Sequence, residues 1–221
     1  MRRWLRDHSL TLTMFGLFVV FLIGQSVTGL HEYSQDQTEH GEETVGYAAY
    51  LRTGHFVEAT FENWESEYLQ MALYVLLTTF LFQRGSSESK DPDGDEPVDE
   101  NPRGAAARPD ASWAVRRGGA ALAIYQHSLT LVLLLLFLLS FILHAAGGAR
   151  EYSQEQVAHG QQAVSTAAYL RTTRFWFESF ENWQSEFLAV ASLAWLSVYL
   201  RQRGSPESKP VAASHRQTGT G

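Results

Sequence analysis

The chain alternates between long apolar blocks and polar stretches. Residues 10–30 carry no charge, and residues 129–149 repeat that character with one histidine. Each block is 21 residues long, and a helix crossing a bilayer needs roughly 20 residues. Neither block has the polar stripe of a soluble core helix: LTLVLLLLFLLSFIL is apolar all round. Two shorter blocks, residues 68–82 and 187–200, would span only about 22 Å as helices, short of the ~30 Å hydrocarbon layer. Their helices are therefore expected to begin earlier, inside the polar phrase before each block. The pattern predicts four membrane-spanning helices. The basic start MRRWLR resembles the opening of a signal peptide. The run is long, shows no small-residue cleavage site and has an internal counterpart, so an uncleaved span is expected.

The phrase before each short block is written twice, as FENWESEYL at 61–69 and FENWQSEFL at 180–188. It belongs to a larger duplication. At an offset of 119, residues 8–90 align without gaps onto 127–209, with 41 of 83 positions identical. HSLTL, EYSQ, AAYLRT and QRGS recur in the same order. The fold class expected is an all-α membrane protein: four transmembrane helices as two tandem parallel-repeat hairpins, with outer interfacial helices. Repeat 1 covers 8–90, with spans at about 10–30 and 62–83 and an outer loop at 31–61. Repeat 2 covers 127–209, with spans at about 129–149 and 181–202 and an outer loop at 150–180. AAYLRT and the following Phe are expected to form the interfacial helix. Residues 91–126 form an acidic, proline-bearing linker and residues 210–221 a polar tail. Too little apolar surface is available to offset the entropy of ordering them, so both are expected to be disordered.

Charge orients this arrangement. Of 17 Lys and Arg, 13 lie on the side of the termini and linker; the other side holds Arg52, Arg150, Arg171 and Arg174. The positive-inside rule makes both termini and the linker cytoplasmic. The expected location is a bacterial inner membrane with a net negative outer face. An even number of spans per repeat relates the halves by a pseudo-two-fold axis along the membrane normal. Trp64 and Trp183 suit the headgroup layer as membrane anchors. Arg84, Arg201 and Arg203 can snorkel at the opposite side, and Arg116 and Arg117 meet anionic lipid before the third span.

Two groups of residues carry candidate chemistry. Glu32, Asp36 and His40 continue a stripe along the first helix, and Glu151, Glu155 and His159 do the same in the second copy. Gly41 or Gly160 follows as a natural helix stop. Carboxylates with imidazole are ligands for a divalent metal, although a histidine in a last helical turn also meets the helix dipole favourably. The second group is an outer polar cluster of Gln25, His144, Asn63, Asn182, Glu67 and Glu186, with Arg52 and Arg171 as counter-ions for the glutamates. A carboxylate at a membrane edge is paired or functional. In the competing reading Ser66 and Glu67 cap the start of the helix.

Composition narrows the classes further. The chain has no Cys, which excludes disulfides and thiol nucleophiles. A net charge of -7 argues against a nucleic-acid partner. FENWxSE followed by QRGSxESK, with EYSQ and AAYLRT upstream, resembles an uncharacterised family of bacterial multi-pass membrane proteins, a domain of unknown function. The resemblance covers residues 8–209 and implies an inner-membrane location, with no activity, cofactor or catalytic residue to carry over. The expected function is a small transport or channel-like protein with an acidic outer vestibule that concentrates a small cation. Its partners are the lipid bilayer and further copies of the chain. The alternative is a structural or signalling membrane protein that docks partners through its outer loops and linker. A metal-dependent membrane enzyme ranks last, because no nucleophile-elbow, phosphate-loop or zincin motif is present.

Overall fold

The two long apolar blocks fold as unbroken helices. The computed structural model describes residues 2–94 and 96–219. Asp95 and residues 220–221, of the expected linker and tail, lie outside the described residues. Every regular element is helical, with no strand among the described residues. In chain order the α-helices among the described residues are α1 (Arg2–Asp7), α2 (Ser9–Glu39), α3 (Tyr47–Tyr50), α4 (Gly54–Leu77), α5 (Trp113–Arg117), α6 (Gly119–Tyr125), α7 (Ser128–Ala158), α8 (Thr166–Tyr169) and α9 (Thr173–Leu196). The bounds of α7, α8 and α9 fall 119 residues after those of α2, α3 and α4.

α2 and α7 are each 31 residues long, about 46 Å of helix. Among the described residues they are the two helices long and apolar enough to cross a membrane. Phe15, Phe21, Leu129 and Leu135 on them are all more than half exposed, as side chains facing lipid are. α4 and α9 are 24 residues each and more charged. Glu58, Glu62, Glu65 and Glu67 lie on α4; Arg174, Glu178, Glu181 and Glu186 lie on α9.

The starts of α4 and α9 differ from the expected spans. α4 begins at Gly54, eight residues before the expected 62, and α9 begins at Thr173 instead of 181. The caps are the last residues of the AAYLRT phrases. Thr53 Oγ1 accepts from the Phe56 N–H at 3.2 Å, and Thr172 Oγ1 accepts from the Phe175 N–H at 3.3 Å. Each hydroxyl also donates to the carbonyl three residues back, Tyr50 or Tyr169, at 2.7 Å. That satisfies an N–H that a helix start otherwise leaves open. The AAYLRT segments are single turns of four residues, α3 and α8.

Both helices also stop early, at Leu77 and Leu196. Thr78 Oγ1 bonds back to the Tyr74 and Val75 carbonyls at 2.9 and 3.2 Å, competing for acceptors that the helix needs to continue. After α9 the Arg201 guanidinium donates to the Ser197, Val198 and Leu200 carbonyls at 3.1, 3.2 and 2.7 Å, tying together the turn that follows the helix.

By its contacts the chain divides into two units. The first comprises Met1–Phe61 with Ile142–Phe175. It holds α2, α3, α8, the opening of α4 and the second half of α7. Its centre is aromatic: Tyr50, Tyr169 and Phe175 are no more than 1% exposed.

The second unit comprises Glu62–Phe141 with Trp176–Gly221. Ser86 and Ser197 share a buried hydrogen bond of 2.8 Å. Lys209 is buried and donates to the Ser214, His215 and Gln217 carbonyls at 3.3, 3.3 and 3.0 Å. The Gly219 N–H donates to the Ser86 carbonyl at 2.9 Å. A buried ammonium requires oxygen partners, and the backbone after Lys209 provides them. Within the expected linker, α5 is capped by Ser112, whose Oγ accepts from the Val115 N–H at 3.4 Å.

Candidate functional site

α2 and α7 end in the same way. The Glu42 N–H donates to the Gln37 carbonyl at 2.8 Å and Gly41 N–H to Thr38 at 3.1 Å; Gln161 to Gln156 and Gly160 to Val157 repeat this at 2.8 and 2.9 Å. This double bond pattern is a Schellman motif, which requires a left-handed residue. Gly41 and Gly160 supply it, at φ 74 and 73°. The motif leaves His40 and His159 as the last residues before each glycine. His40 Nδ1 meets the Asp36 carbonyl at 2.9 Å, and His159 Nδ1 meets the Glu155 carbonyl at 2.7 Å. A backbone carbonyl only accepts, so Nδ1 carries a proton in both rings, and in the neutral form of that tautomer Nε2 holds the lone pair.

Asp36, His40, Glu151, Glu155 and His159 line one pocket of about 260 Å³, with Tyr33 and Glu42 in the same wall. Five of the six stripe residues named from the sequence thus meet here; Glu32 lies outside the lining and is exposed. The volume accommodates an ion together with several waters, since a water takes about 30 Å³. His40 Nδ1 also stands 3.4 Å from Asp36 Oδ1. Its hydrogen bond to the Asp36 carbonyl, with the nearby Asp36 charge, raises the imidazole pKa above the usual 6.5.

Glu151 is the most enclosed carboxylate of the pocket. Gly54, first residue of α4, lets that helix abut α7: a Cβ there would lie 2.7 Å from both the Glu151 nitrogen and the Gly147 carbonyl oxygen. The His55 backbone N–H donates to the Glu151 carboxylate, while burial outweighs that help and raises its pKa. Glu151 Oε2 is buried without a hydrogen-bond partner, a costly state for a carboxylate oxygen. Glu155 differs: it is paired with Arg174, whose guanidinium also lies 5.6 Å from the Tyr152 ring centre.

Behind the pocket two tyrosines seat on two glycines. A Cβ on Gly29 would lie 2.2 Å from the Tyr50 oxygen, and one on Gly148 would lie 2.6 Å from the Tyr169 oxygen. Tyr50 Oη and His55 Nδ1 are 3.2 Å apart. Tyr169 Oη instead donates to Glu58 Oε1 at 2.9 Å. Glu58 is buried, and one of its oxygens lies within 4.8 Å of a ring nitrogen of buried His144. The His144 ring packs on Phe175 at 4.8 Å between centres.

A family model described as a domain of unknown function, DUF6766, matches residues 1–220. The chain belongs to that family. No curated protein and no solved structure matches it.

The remaining sequence-named residues of the DUF6766 chain are distributed over its two units. In the first, Gln25 donates to Thr60 Oγ1 at 3.4 Å, and Arg52 and Arg171 are exposed. In the second, Asn182 donates to Glu62 and Trp183 donates its indole N–H to Glu65 at 3.0 Å. Trp183, read from sequence as a membrane anchor, is thereby also a partner for a fully buried glutamate. Trp64 and Glu186 are half-buried, and Asn63 and Glu67 exposed. Ser66 lies inside α4 and donates back to the Asn63 carbonyl at 2.8 Å; it does not cap the helix.

Sequence reasoning missed Glu58, Glu65, His55 and the tyrosine seats. Glu58 and Glu65 align with Phe177 and Gln184, so the duplication drew no attention to them. The available signal was the pair Gly147–Gly148 inside an apolar block, which marks close backbone approach.

Proposed function

We propose that this DUF6766 protein is a small multi-pass membrane protein of transport or channel-like character that takes up a divalent cation at the pocket where α2 and α7 end. The observation that carries this reading is the pair of histidines, each with Nδ1 committed to a helix-end carbonyl, in one pocket with Asp36, Glu151 and Glu155. Fixing Nδ1 by an outer acceptor is how proteins present Nε2 to a metal. Carboxylate oxygen with imidazole suits manganese, iron or zinc. Cation binding would supply the partner that Glu151 Oε2 lacks. Arg174 neutralises Glu155 and so limits how much positive charge the site attracts.

In this reading α2 and α7 are two of four spans. α4 and α9, about 36 Å long, return the chain, and their glutamates face protein or water instead of lipid. The excess of Lys and Arg on the other side supports the reading in which both termini and the linker lie in the cytoplasm of a bacterial cell and the pocket lies outside. Four spans make a narrow path, so further copies of the chain complete it.

Isothermal titration of the purified full chain with Mn²⁺ and Zn²⁺ tests the site. One ion per chain is expected, with affinity lowered by about tenfold or more in His40→Ala and His159→Ala. Binding that both variants leave unchanged would sink the site. Proteoliposomes that bind the ion but pass no more of it than empty liposomes would retain the site and remove the transport reading.

A further inference from the structure

We propose that the segment leading into α7 holds an anionic phospholipid, with its phosphate on Arg116 and Arg117 and an acyl chain in the groove between α5 and α6. This rests on the reading of the chain as a membrane protein and is independent of the metal pocket. The groove measures about 560 Å³ and is lined by Trp113, Ala114, Ala121, Ile124 and Tyr125, with Ser112 and Ser128. The serine hydroxyls are spent on the backbone: Ser112 Oγ accepts from the Val115 N–H and Ser128 Oγ donates to the Tyr125 carbonyl at 2.8 Å. The groove therefore presents mainly hydrocarbon. Its apolar residues are open, with Trp113 63%, Ile124 62% and Tyr125 52% exposed.

Its shape comes from two successive left-handed residues. Gly118 and Gly119, at φ 65 and 56°, break the backbone between α5 and α6. L side chains rarely adopt that conformation, so the fold between the two helices depends on both glycines. The break leaves Arg116 and Arg117 exposed in the last turn of α5. The Arg117 guanidinium lies 5.3 Å from the centre of the Trp113 ring, which sets a cation directly at an apolar wall of the groove.

Two features identify the occupant. Ser128 both lines the groove and opens α7, the more apolar of the two membrane-capable helices, so the groove is continuous with a helix in the bilayer. Arg116 and Arg117 stand exposed in the last turn of α5 beside it, and paired arginines beside a span complement anionic headgroups. A hydrocarbon trough with a cationic rim matches a phospholipid. A soluble phosphate compound would leave the trough unfilled.

The test is native mass spectrometry of the full chain in detergent, titrated with phosphatidylglycerol or with phosphatidylcholine of the same acyl chains. The wild type should retain phosphatidylglycerol roughly thirtyfold better, the scale expected of two basic residues at an anionic surface. R116Q/R117Q should lose that preference while keeping the weak phosphatidylcholine adduct. A121W, which fills the trough, should reduce both. Equal retention of the two lipids by the wild type, or a preference that survives in both variants, overturns the proposal. A carbonate wash separates the premises. A chain that stays in membranes yet shows no preference overturns the lipid site alone, and a chain released from them overturns the membrane reading with it.

Discussion

Tyr169 donates to Glu58 at 2.9 Å, and the receiving oxygen lies where a Cβ on Gly148 would come within 2.7 Å of it. A phenol, a carboxylate and a bare stretch of helix thus share one buried point. At the aligned position Tyr50 lies over Gly29, but its partner is a ring nitrogen, His55 Nδ1, at 3.2 Å. The two seats have one shape and different chemistry.

Tyrosine-to-phenylalanine substitutions should therefore be unequal. Tyr169→Phe takes a donor from a buried carboxylate and should cost about 1.5–3 kcal/mol, whereas Tyr50→Phe should cost about 1 kcal/mol or less. Thermal unfolding of the detergent-purified protein reads the difference. Equal shifts would show that the bond to Glu58 contributes nothing special.

The seat at Gly29 makes a paired prediction. Gly29→Ala forces a methyl to 2.2 Å from the Tyr50 oxygen and should destabilise by about 1–3 kcal/mol, as overpacking does. Adding Tyr50→Phe removes the clashing oxygen and leaves the ring carbon at 3.2 Å. The double variant should be more stable than Gly29→Ala alone, a non-additive result that a double-mutant cycle measures.

Helix starts can be located by hydroxyl deletion. Thr53→Ala and Thr172→Ala remove the caps of α4 and α9 and should each cost about 1 kcal/mol. Ser66→Ala removes only a mid-helix bond back to Asn63 and should stay within about 0.5 kcal/mol. A larger loss at Ser66 than at Thr53 would move the start of the helix into the FENWESE phrase.

The pocket gives opposite pH slopes for the free protein and for metal binding. His40 has a raised pKa in the fold, so its contribution to stability is complete below the usual 6.5 and is lost as pH rises through the folded value. Glu151 has a raised pKa as well; its charged form is disfavoured, so stability again falls as pH rises from the usual carboxylate range through its folded value. Metal needs the deprotonated forms. Mn²⁺ affinity should rise with pH, by up to about tenfold per unit for each group that must release a proton. Titration calorimetry near pH 5.5 and 7.5 should show this, and His40→Gln should flatten the curve.

Periodicity and spacing carried the architecture a long way. The 31-residue helices follow from unbroken apolar runs, and their ends from Gly41 and Gly160, because a left-handed stop is written in the residue type. The stripes at steps of three and four brought Asp36, His40, Glu151, Glu155 and His159 to one face each, which the pocket then joins. The starts of α4 and α9 were not legible. Gly54 reads as a breaker, and the cap that makes it a helix start is a single hydroxyl bond from Thr53. Glu58 and Glu65 were hidden for another reason. Only tertiary contact reveals that Tyr169 and Trp183 come to meet them, and no local pattern encodes that.

The seated tyrosines also give the protein an intrinsic chemical footprint. Nitration and iodination attack rings that reagents can reach and that ionise readily. Tyr50 is 1% exposed and its phenol is pushed up to about 12 by burial and nearby glutamates, while Tyr169 is fully covered. Tyr199, outside the lipid groove, is more than half exposed. Reagent should mark this open ring and spare the seated pair, so the appearance of label at Tyr50 or Tyr169 reports the moment these helix ends part, with no dye or engineered cysteine needed in a chain that contains none.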